Sequence, residues 1–263
     1  MRCALCFLLL GLVGCKPDRG GVIIAGSTSV QPFVEKVAEH FMEENPGITV
    51  NVQGGGSTAG VQATINGTCD IGASSRNLKP SEQGLRTILI ALDGIAVILH
   101  KDNPLEDLTV EQVRGIFTGK IKNWRELGGL DKEIIPVTRE EGSGTRASFE
   151  DMIMGGEAIS DACLVQDSNG AVREIIATTL QGVGYISVGL VDDREKAVAI
   201  NGIQPTLANL VTEKYRFSRP FLFLMREEPR GHCRRFIDYV LSSEGQQILG
   251  SSGLIPINKV AVD

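Results

Sequence analysis

The sequence predicts an α/β fold of two lobes, each a mixed, mostly parallel sheet with helices on both faces. Short apolar runs alternate with helical patterns along the chain, which is typical of parallel strands joined by helices. Two extended apolar segments, at residues 95–101 and 219–225, are candidate hinge crossings between the lobes. With 263 residues, of which 42% are hydrophobic and 22% charged, the chain is long enough for one large domain or two small ones.

The first lobe is predicted from a β-α-β-α-β alternation that follows a short polar segment. Phe33, Val37, Ala38 and Phe41 fall at helical spacing, and the Asn-Pro-Gly at 45–47 ends that helix. The strands expected in this lobe lie at residues 22–25, 48–52, 69–73 and 94–100, with a second helix around 61–65.

The second lobe is predicted to follow a polar break after residue 100. Its expected elements are a helix from Thr109, a strand at 134–138, helices at 146–154 and 171–179, and a strand at 184–187. An apolar segment at 217–226 and a closing helix from residue 232 would return the chain to the first lobe. We therefore expect residues 22–98 with 221–263 in the first lobe and residues 99–220 in the second.

The N-terminal residues 1–14 read as a secretory signal peptide, since Arg2 precedes an apolar run that contains no acidic residue. Residues 12–15, Leu-Val-Gly-Cys, resemble a bacterial lipobox, in which cleavage leaves Cys15 as a lipidated first residue. The alternative is a plain signal peptide that contains cysteines. Because no later segment has the roughly 18 apolar residues of a membrane span, we expect a chain outside the cytoplasm, held to the membrane only by Cys15 and a tether at 15–21.

Charge and cysteine content limit the function classes. The net charge is −6, without the basic surplus of a nucleic-acid-binding protein. After the signal peptide and Cys15 are set aside, Cys69, Cys163 and Cys233 remain. Export permits one disulfide and one free thiol, and the pairing is open. No Cys/His spacing indicates zinc, so neither a metal nor a cofactor is expected.

Four short Gly/Ser/Thr turns follow predicted strands, at residues 26–32, 54–60, 72–76 and 139–146. Helix N-termini at such positions carry unpaired N–H groups and a partial positive charge that attract anions. Ligands of open α/β sheets bind just beyond the carboxyl ends of the strands. Each turn alone is explained by helix capping. Three turns in one lobe and a fourth with Arg139 in the other indicate a cleft for a small tetrahedral oxyanion, because guanidinium matches such groups with a planar donor fork.

Six stretches together resemble the phosphate-binding proteins of bacterial ABC phosphate importers: GSTSVQPF, QGGGSTAG, GTCDIGASSRNL, DGIAVILHKDNP, IFTGKIKNW and REEGSGTR. The resemblance covers nearly all of the chain after the signal peptide. It implies a two-lobed, hinge-closing fold of the type II periplasmic-binding-protein kind. It also implies a monomer that binds inorganic phosphate, delivers it to the transmembrane subunits of an ABC permease, and is not an enzyme.

The resemblance also implies which residues hold the anion. In the first lobe these are the Thr28 side chain with the N–H of Ser29, and Ser57. In the second lobe the Arg-x-x-x-Ser-Gly-Thr pattern of this chain places the ligands at Arg139, Ser143, Gly144 and Thr145.

One position departs from the family pattern. Some members carry an Asp after the third strand that accepts the proton of hydrogen phosphate, and here that position is Ser75, followed by Arg76. We expect Glu141 to serve as the acceptor, and Arg76 either to contact the anion or to pair with Asp70 or Glu141. The alternatives to phosphate capture are another oxyanion such as sulfate or molybdate, or a phosphate-sensing surface lipoprotein.

A phosphoryl-transfer or ester-hydrolysing enzyme using Ser143 or Ser57 is disfavoured by the sequence. Neither serine has a nearby His base, and no Asp/His cluster indicates a catalytic metal.

Overall fold

A computed structural model describes residues 20–259 of the chain. The predicted signal peptide, the proposed lipidation site Cys15 and the last four residues lie outside this range, and so does most of the expected tether. Within residues 20–259 no helix is long and apolar enough to cross a membrane.

The architecture is α/β, as predicted. The strands are β1 (Gly21–Gly26), β2 (Thr49–Gly54), β3 (Ile71–Ser74), β4 (Arg86–His100), β5 (Asp107–Leu108), β6 (Ile135–Arg139), β7 (Leu164–Gln166), β8 (Gly182–Ser187), β9 (Glu195–Ala197), β10 (Ala199–Ile200), β11 (Ser218–Met225) and β12 (Ile255–Pro256). The α-helices are α1 (Gln31–Glu44), α2 (Ser57–Asn66), α3 (Val110–Phe117), α4 (Gly144–Phe149), α5 (Asn169–Thr178), α6 (Leu207–Val211), α7 (Gly231–Leu241) and α8 (Ser243–Ser251).

The main sheet runs in the order β2-β1-β3-β11-β4-β8-β6-β7, with β9 and β12 also paired to β4. Parallel pairs join β1 to β2 and β3, and β6 to β7 and β8. The returning strand β11 is antiparallel to both β3 and β4. Within each parallel group, the carboxyl ends of the strands therefore lie at the same edge of the sheet. The predicted turns follow those ends.

Strand β4 belongs to both lobes. Its first part, Arg86–Gly94, pairs with β11, whereas Ile95–Leu99 pair with β8. The sequence predicted a strand only from residue 94, because the polar Asp93 interrupts the apolar run. The change of pairing from β11 to β8 after Gly94 comes before the expected lobe boundary after residue 98. The exact bounds of the two lobes stay a prediction.

Each lobe has its own buried core. In the first, Phe33 and Phe41 of α1 pack against aromatic residues of β11 and α7. In the second, Trp124 is fully buried and donates from its indole N–H to the Gln181 carbonyl at 3.0 Å. Trp124 therefore packs in the core of the second lobe.

The closing helix predicted from residue 232 is two helices, α7 and α8. Ser242 ends the first and caps the second, its hydroxyl accepting from the N–H of Gly245 at 3.2 Å. The apolar pattern continues through the break, which explains why the two helices read as one. Cys69, Cys163 and Cys233 are free thiols in this structure.

Candidate functional site

The four predicted turns meet between the lobes. Ser29 of the first lobe and Thr145 of the second share a hydrogen bond of 2.8 Å between their hydroxyl oxygens. The N–H of Thr58 donates to the carbonyl of Gly142 at 3.1 Å. The hydroxyl of Ser148 donates to the carbonyl of Ser75 at 3.3 Å. The predicted convergence of the turns across a cleft is therefore present, in a closed arrangement.

Arg139 stands at the end of β6 and is 1% exposed. Its Nη2 donates to the Asp167 carbonyl at 2.9 Å and to Thr28 Oγ1 of the first lobe at 3.2 Å. Among the described residues its Nη1 atom has no hydrogen-bond partner, although it is buried. Since an unpaired buried donor costs free energy, this nitrogen indicates where an acceptor binds.

Glu140 fixes the orientation of this guanidinium. Its two carboxylate oxygens accept from Nε and Nη2 of Arg139, both at 3.0 Å. The pair is partly buried, so part of the Arg139 charge is balanced before any anion enters. The fork geometry is the bidentate kind that limits side-chain motion.

The second-lobe turn opens helix α4. Ser143 caps it, its hydroxyl accepting from the N–H of Arg146 at 3.2 Å. Gly144 and Thr145 occupy the first helical turn, where backbone N–H groups have no carbonyl partner in the helix. The helix continues as a π-helical turn over Glu150–Met154. This turn therefore offers N–H donors beside the Arg139 side chain.

The first-lobe turns contribute a cluster of buried hydroxyls. Ser27 donates to Ser75 Oγ at 2.9 Å, and Ser57 Oγ lies 3.3 Å from the same atom. The N–H of Ser75 donates to Ser57 Oγ at 3.0 Å. Ser57 and Ser75, from two separate turns, are thus held side by side at the bottom of the cleft.

Two buried charges were missed from the sequence. Arg219 of β11 is 2% exposed, and its Nε and Nη2 both donate to Asp93 Oδ2 of β4, at 3.0 and 2.9 Å. Its Nη1 and Nη2 also reach the predicted ligands Ser75 and Ser29, at 3.3 and 3.1 Å. The sequence does carry a signal for this pair, because each residue lies inside an apolar strand. Charged residues at such positions are almost never buried unless they are paired.

Asp93 is the buried carboxylate behind the cleft. Burial raises the pKa of its carboxyl, and the Arg219 guanidinium and the Ser187 hydroxyl oppose that rise by stabilising the carboxylate. Ser187, of the second-lobe strand β8, donates to Asp93 Oδ1 at 2.7 Å. The pair Asp93–Arg219 thus lies where the two lobes join.

Asn169 is a further residue that the sequence did not single out. Its Nδ2 donates to Ser29 Oγ at 2.8 Å, and its Oδ1 accepts from the N–H of Ser187 at 3.3 Å. It is buried at the start of α5, which Ser168 caps. The Ser-Asn pair before a helical pattern was the only sequence signal, and it is common in ordinary caps.

The expected partners of Arg76 are wrong. Its guanidinium pairs with Glu82, with nitrogen–oxygen distances of 2.7 and 2.8 Å, and not with Asp70 or Glu141. Asp70 instead accepts from the N–H of Ile23 at 2.8 Å. The sequence around Glu82 is polar and loop-like, so nothing in its pattern pointed back to Arg76. Glu82 thus occupies the guanidinium that the sequence offered to the anion.

The structure does not bring Glu141 to the other predicted ligands. Its side chain is exposed, whereas its neighbour Glu140 faces Arg139. In residues 20–259 no group of three or more His, Cys, Asp or Glu side chains is placed to hold a metal ion.

Comparison with known proteins decides the family. Residues 15–244 match the family model of the PBP superfamily domain. The phosphate-binding protein PstS of Bacillus subtilis is 35% identical over 92% of this chain and 83% of its own length. This chain belongs to the PBP superfamily, among relatives of the PstS type.

Solved structures agree. A putative phosphate ABC transporter substrate-binding protein from Clostridium perfringens, determined with bound phosphate, has a TM-score of 0.87 and 41% identity, covering 90% of this chain and 99% of that one. An ABC-type phosphate transport receptor from Vibrio cholerae has a TM-score of 0.74 and 36% identity, with the same coverage of 90% and 99%. The predicted two-lobed fold is confirmed, and these relatives are binding proteins rather than enzymes, as the sequence predicts for this chain.

Proposed function

We propose that this chain captures inorganic phosphate in the cleft between its lobes and delivers it to an ABC permease. The observation that carries the proposal is Arg139, whose buried Nη1 has no hydrogen-bond partner among the described residues while its Nη2 reaches Thr28 across the cleft. A tetrahedral oxyanion supplies the acceptor oxygens that this donor needs. The names of the relatives, which are phosphate-binding proteins, support phosphate as that anion.

The proposed ligands come from both lobes. Thr28, Ser29, Ser57 and Ser75 belong to the first, and Arg139, Ser143, Gly144 and Thr145 to the second. Because the second set can meet the anion only when the lobes approach, binding energy from Arg139 and the first turn of α4 drives closure. Several charge-assisted hydrogen bonds in a water-excluded cleft are expected to give micromolar or tighter affinity, about −8 kcal/mol.

Titration calorimetry of residues 16–263 with phosphate tests this proposal directly. We expect one binding site per chain and micromolar or tighter affinity. Sulfate, molybdate and arsenate serve as comparison ligands, since arsenate has nearly the shape of phosphate. An absence of phosphate binding would refute the proposal, and equal binding of sulfate would refute its assignment to phosphate.

We also propose export and attachment through Cys15, with the folded lobes outside the cytoplasm and acting as a monomer. The arrangement follows from the signal-like residues 1–14 and the lipobox-like residues 12–15. Mass spectrometry of the full-length chain from bacterial membranes is expected to find a diacylglyceryl-modified Cys15. A Cys15→Ala variant is expected to leave the membrane fraction, and membrane retention of that variant would contradict the proposed anchor.

A further inference from the structure

Arg219 occupies a position that needs an explanation beyond strand packing. It is 2% exposed in β11, a strand that is otherwise mostly apolar. Burying a guanidinium is costly even when it is paired, and an apolar pair of similar volume is often at least as stable. Burial of Arg219 also requires a second buried charge, Asp93, which lies opposite it in the adjacent strand β4. Fold stability alone is thus a weak reason for this pair.

The hydrogen bonds that Arg219 makes besides those to Asp93 both go to cleft hydroxyls. Nη2 donates to Ser29 Oγ at 3.1 Å and Nη1 donates to Ser75 Oγ at 3.3 Å. Ser29 lies in the first Gly/Ser/Thr turn and Ser75 in the third. One guanidinium therefore holds two of the turns that form the proposed site.

These contacts determine which way the Ser29 hydroxyl can donate. A serine oxygen has two lone pairs and one proton. Ser29 Oγ already accepts from Arg219 and from Asn169 Nδ2 at 2.8 Å. Its proton is thus left to donate, and Thr145 Oγ1 lies 2.8 Å away. The proton of Thr145 is then free to donate to an anion.

The same count applies to Ser75. Its oxygen accepts from Ser27 Oγ at 2.9 Å and from Arg219 Nη1 at 3.3 Å. Its proton is left to donate toward Ser57 Oγ, 3.3 Å away, or into the cleft. Ser75 is thereby made a donor, and Ser29 leaves the proton of Thr145 for the anion, so both contacts of Arg219 favour donors to a deprotonated oxyanion.

Arg219 also adds charge beside Arg139. The two guanidinium groups are near enough for Arg139 to lower the pKa of Arg219, in addition to the larger lowering by burial. Their mutual repulsion in the closed cleft is relieved by a bound anion. Glu140 and Asp93 each balance one arginine, so the four charges sum to zero before the anion binds.

We propose that Arg219 is a positioning residue of the phosphate site, which orients the Ser29 and Ser75 hydroxyls as donors and supplies the second positive charge of the cleft. Asp93 and Ser187 hold Arg219 in place through Asp93 Oδ2 and Oδ1 respectively. This inference rests on the proposed phosphate binding.

Two variants test it by calorimetry with inorganic phosphate. The double variant Asp93→Asn/Arg219→Gln replaces the ion pair with a neutral amide pair, so neither side chain is left as an unpaired buried charge. We expect it to fold and to bind phosphate roughly 10- to 100-fold more weakly, the loss typical of hydrogen bonds to charged groups. The variant Arg219→Lys keeps the charge and loses the fork, and we expect a smaller loss of about fivefold.

Thermal unfolding without phosphate separates folding from binding. A double variant that unfolds near the wild-type temperature but binds phosphate weakly supports the role of Arg219. If Arg219→Lys binds phosphate more tightly than the double variant, the positive charge contributes to that role. Wild-type affinity in the folded double variant would overturn the proposal. If the double variant does not fold, Arg219→Lys tests the orienting role alone, and an affinity within twofold of wild type overturns the assignment of Arg219 as a positioning residue. Wild-type protein that fails to bind phosphate would instead refute the proposed function itself.

Discussion

Gly144 of the second lobe lies so close to Ser57 of the first that the two lobes leave no room for a side chain between them. A Cβ atom on Gly144 would come 2.2 Å from Ser57 Oγ and 2.6 Å from Ser75 Oγ. Both distances are far below van der Waals contact. The closed arrangement of the cleft thus depends on the absence of a single methyl group at position 144.

The substitution Gly144→Ala is therefore expected to prevent closure. Each lobe keeps its own core, so the variant should fold, while phosphate affinity falls about 100-fold because the second-lobe donors no longer reach the anion. Calorimetry and thermal unfolding check this. Gly170→Ala is the matched control, since that glycine is also in the first turn of a second-lobe helix and a Cβ there meets only Ser168 Oγ at 3.9 Å. Wild-type affinity in Gly144→Ala would mean that phosphate does not bind in the closed cleft.

Removing the guanidinium of Arg139 is expected to weaken phosphate binding about 100-fold or more, because a buried bidentate donor and a positive charge are lost together. Arg139→Ala should be measured beside Arg125→Ala. Arg125 is exposed and pairs with Asp131, so its loss changes net charge equally without touching the cleft. Comparable losses in the two variants would show that only the overall charge matters and would remove Arg139 from the site.

Glu141→Gln is expected to change phosphate affinity by less than twofold, since the Glu141 side chain is exposed and Glu140 is the carboxylate that faces Arg139. The measurement is the same calorimetric titration at neutral pH. A tenfold loss would restore Glu141 as the acceptor of the phosphate proton, which was the expectation from the sequence.

The pair Arg76–Glu82 is expected to stabilise the fold in a pH-dependent way. Hydrogen bonds from Arg76 lower the pKa of the Glu82 carboxyl. A carboxyl with a lowered folded-state pKa contributes stability above its unfolded value of about 4.3, and that contribution disappears as pH falls through the folded value. Glu82→Gln should therefore cost about 1–3 kcal/mol at pH 7, and the difference from wild type should shrink below pH ~4.3.

Denaturant unfolding at a series of pH values measures this difference. Glu228→Gln is the control, because Glu228 forms an exposed pair with Arg86 and such pairs contribute under about 1 kcal/mol. A gap between Glu82→Gln and wild type that stays constant from neutral to acid pH would exclude the linkage.

The sequence predicted the parts of this protein that depend on local pattern. Alternating apolar runs and helical spacings predicted the α/β class, and the Gly/Ser/Thr pattern after strands predicted all four turns that meet in the cleft, the fourth of them with Arg139. These features are readable because strand ends, caps and turns are specified by neighbouring residues.

The remainder depends on contacts between distant residues. Arg219 and Asp93 are 126 positions apart, yet they pair because β11 returns to lie beside β4. Asn169 reaches Ser29 over 140 positions. The partner of Arg76 was assigned wrongly because turn geometry, rather than any periodic pattern, brings Glu82 back to it. A single sequence specifies such pairings only through the completed topology.

The place of β11 between β3 and β4 has a consequence for how the chain is made. Until residues 218–225 have left the ribosome, the first lobe lacks a central strand of its sheet, although most of its other strands are already synthesised. Strands β3 and β4 therefore lack their shared partner while the whole second lobe is produced. Such a delay suits the export that we propose, in which the chain would cross the membrane before it folds.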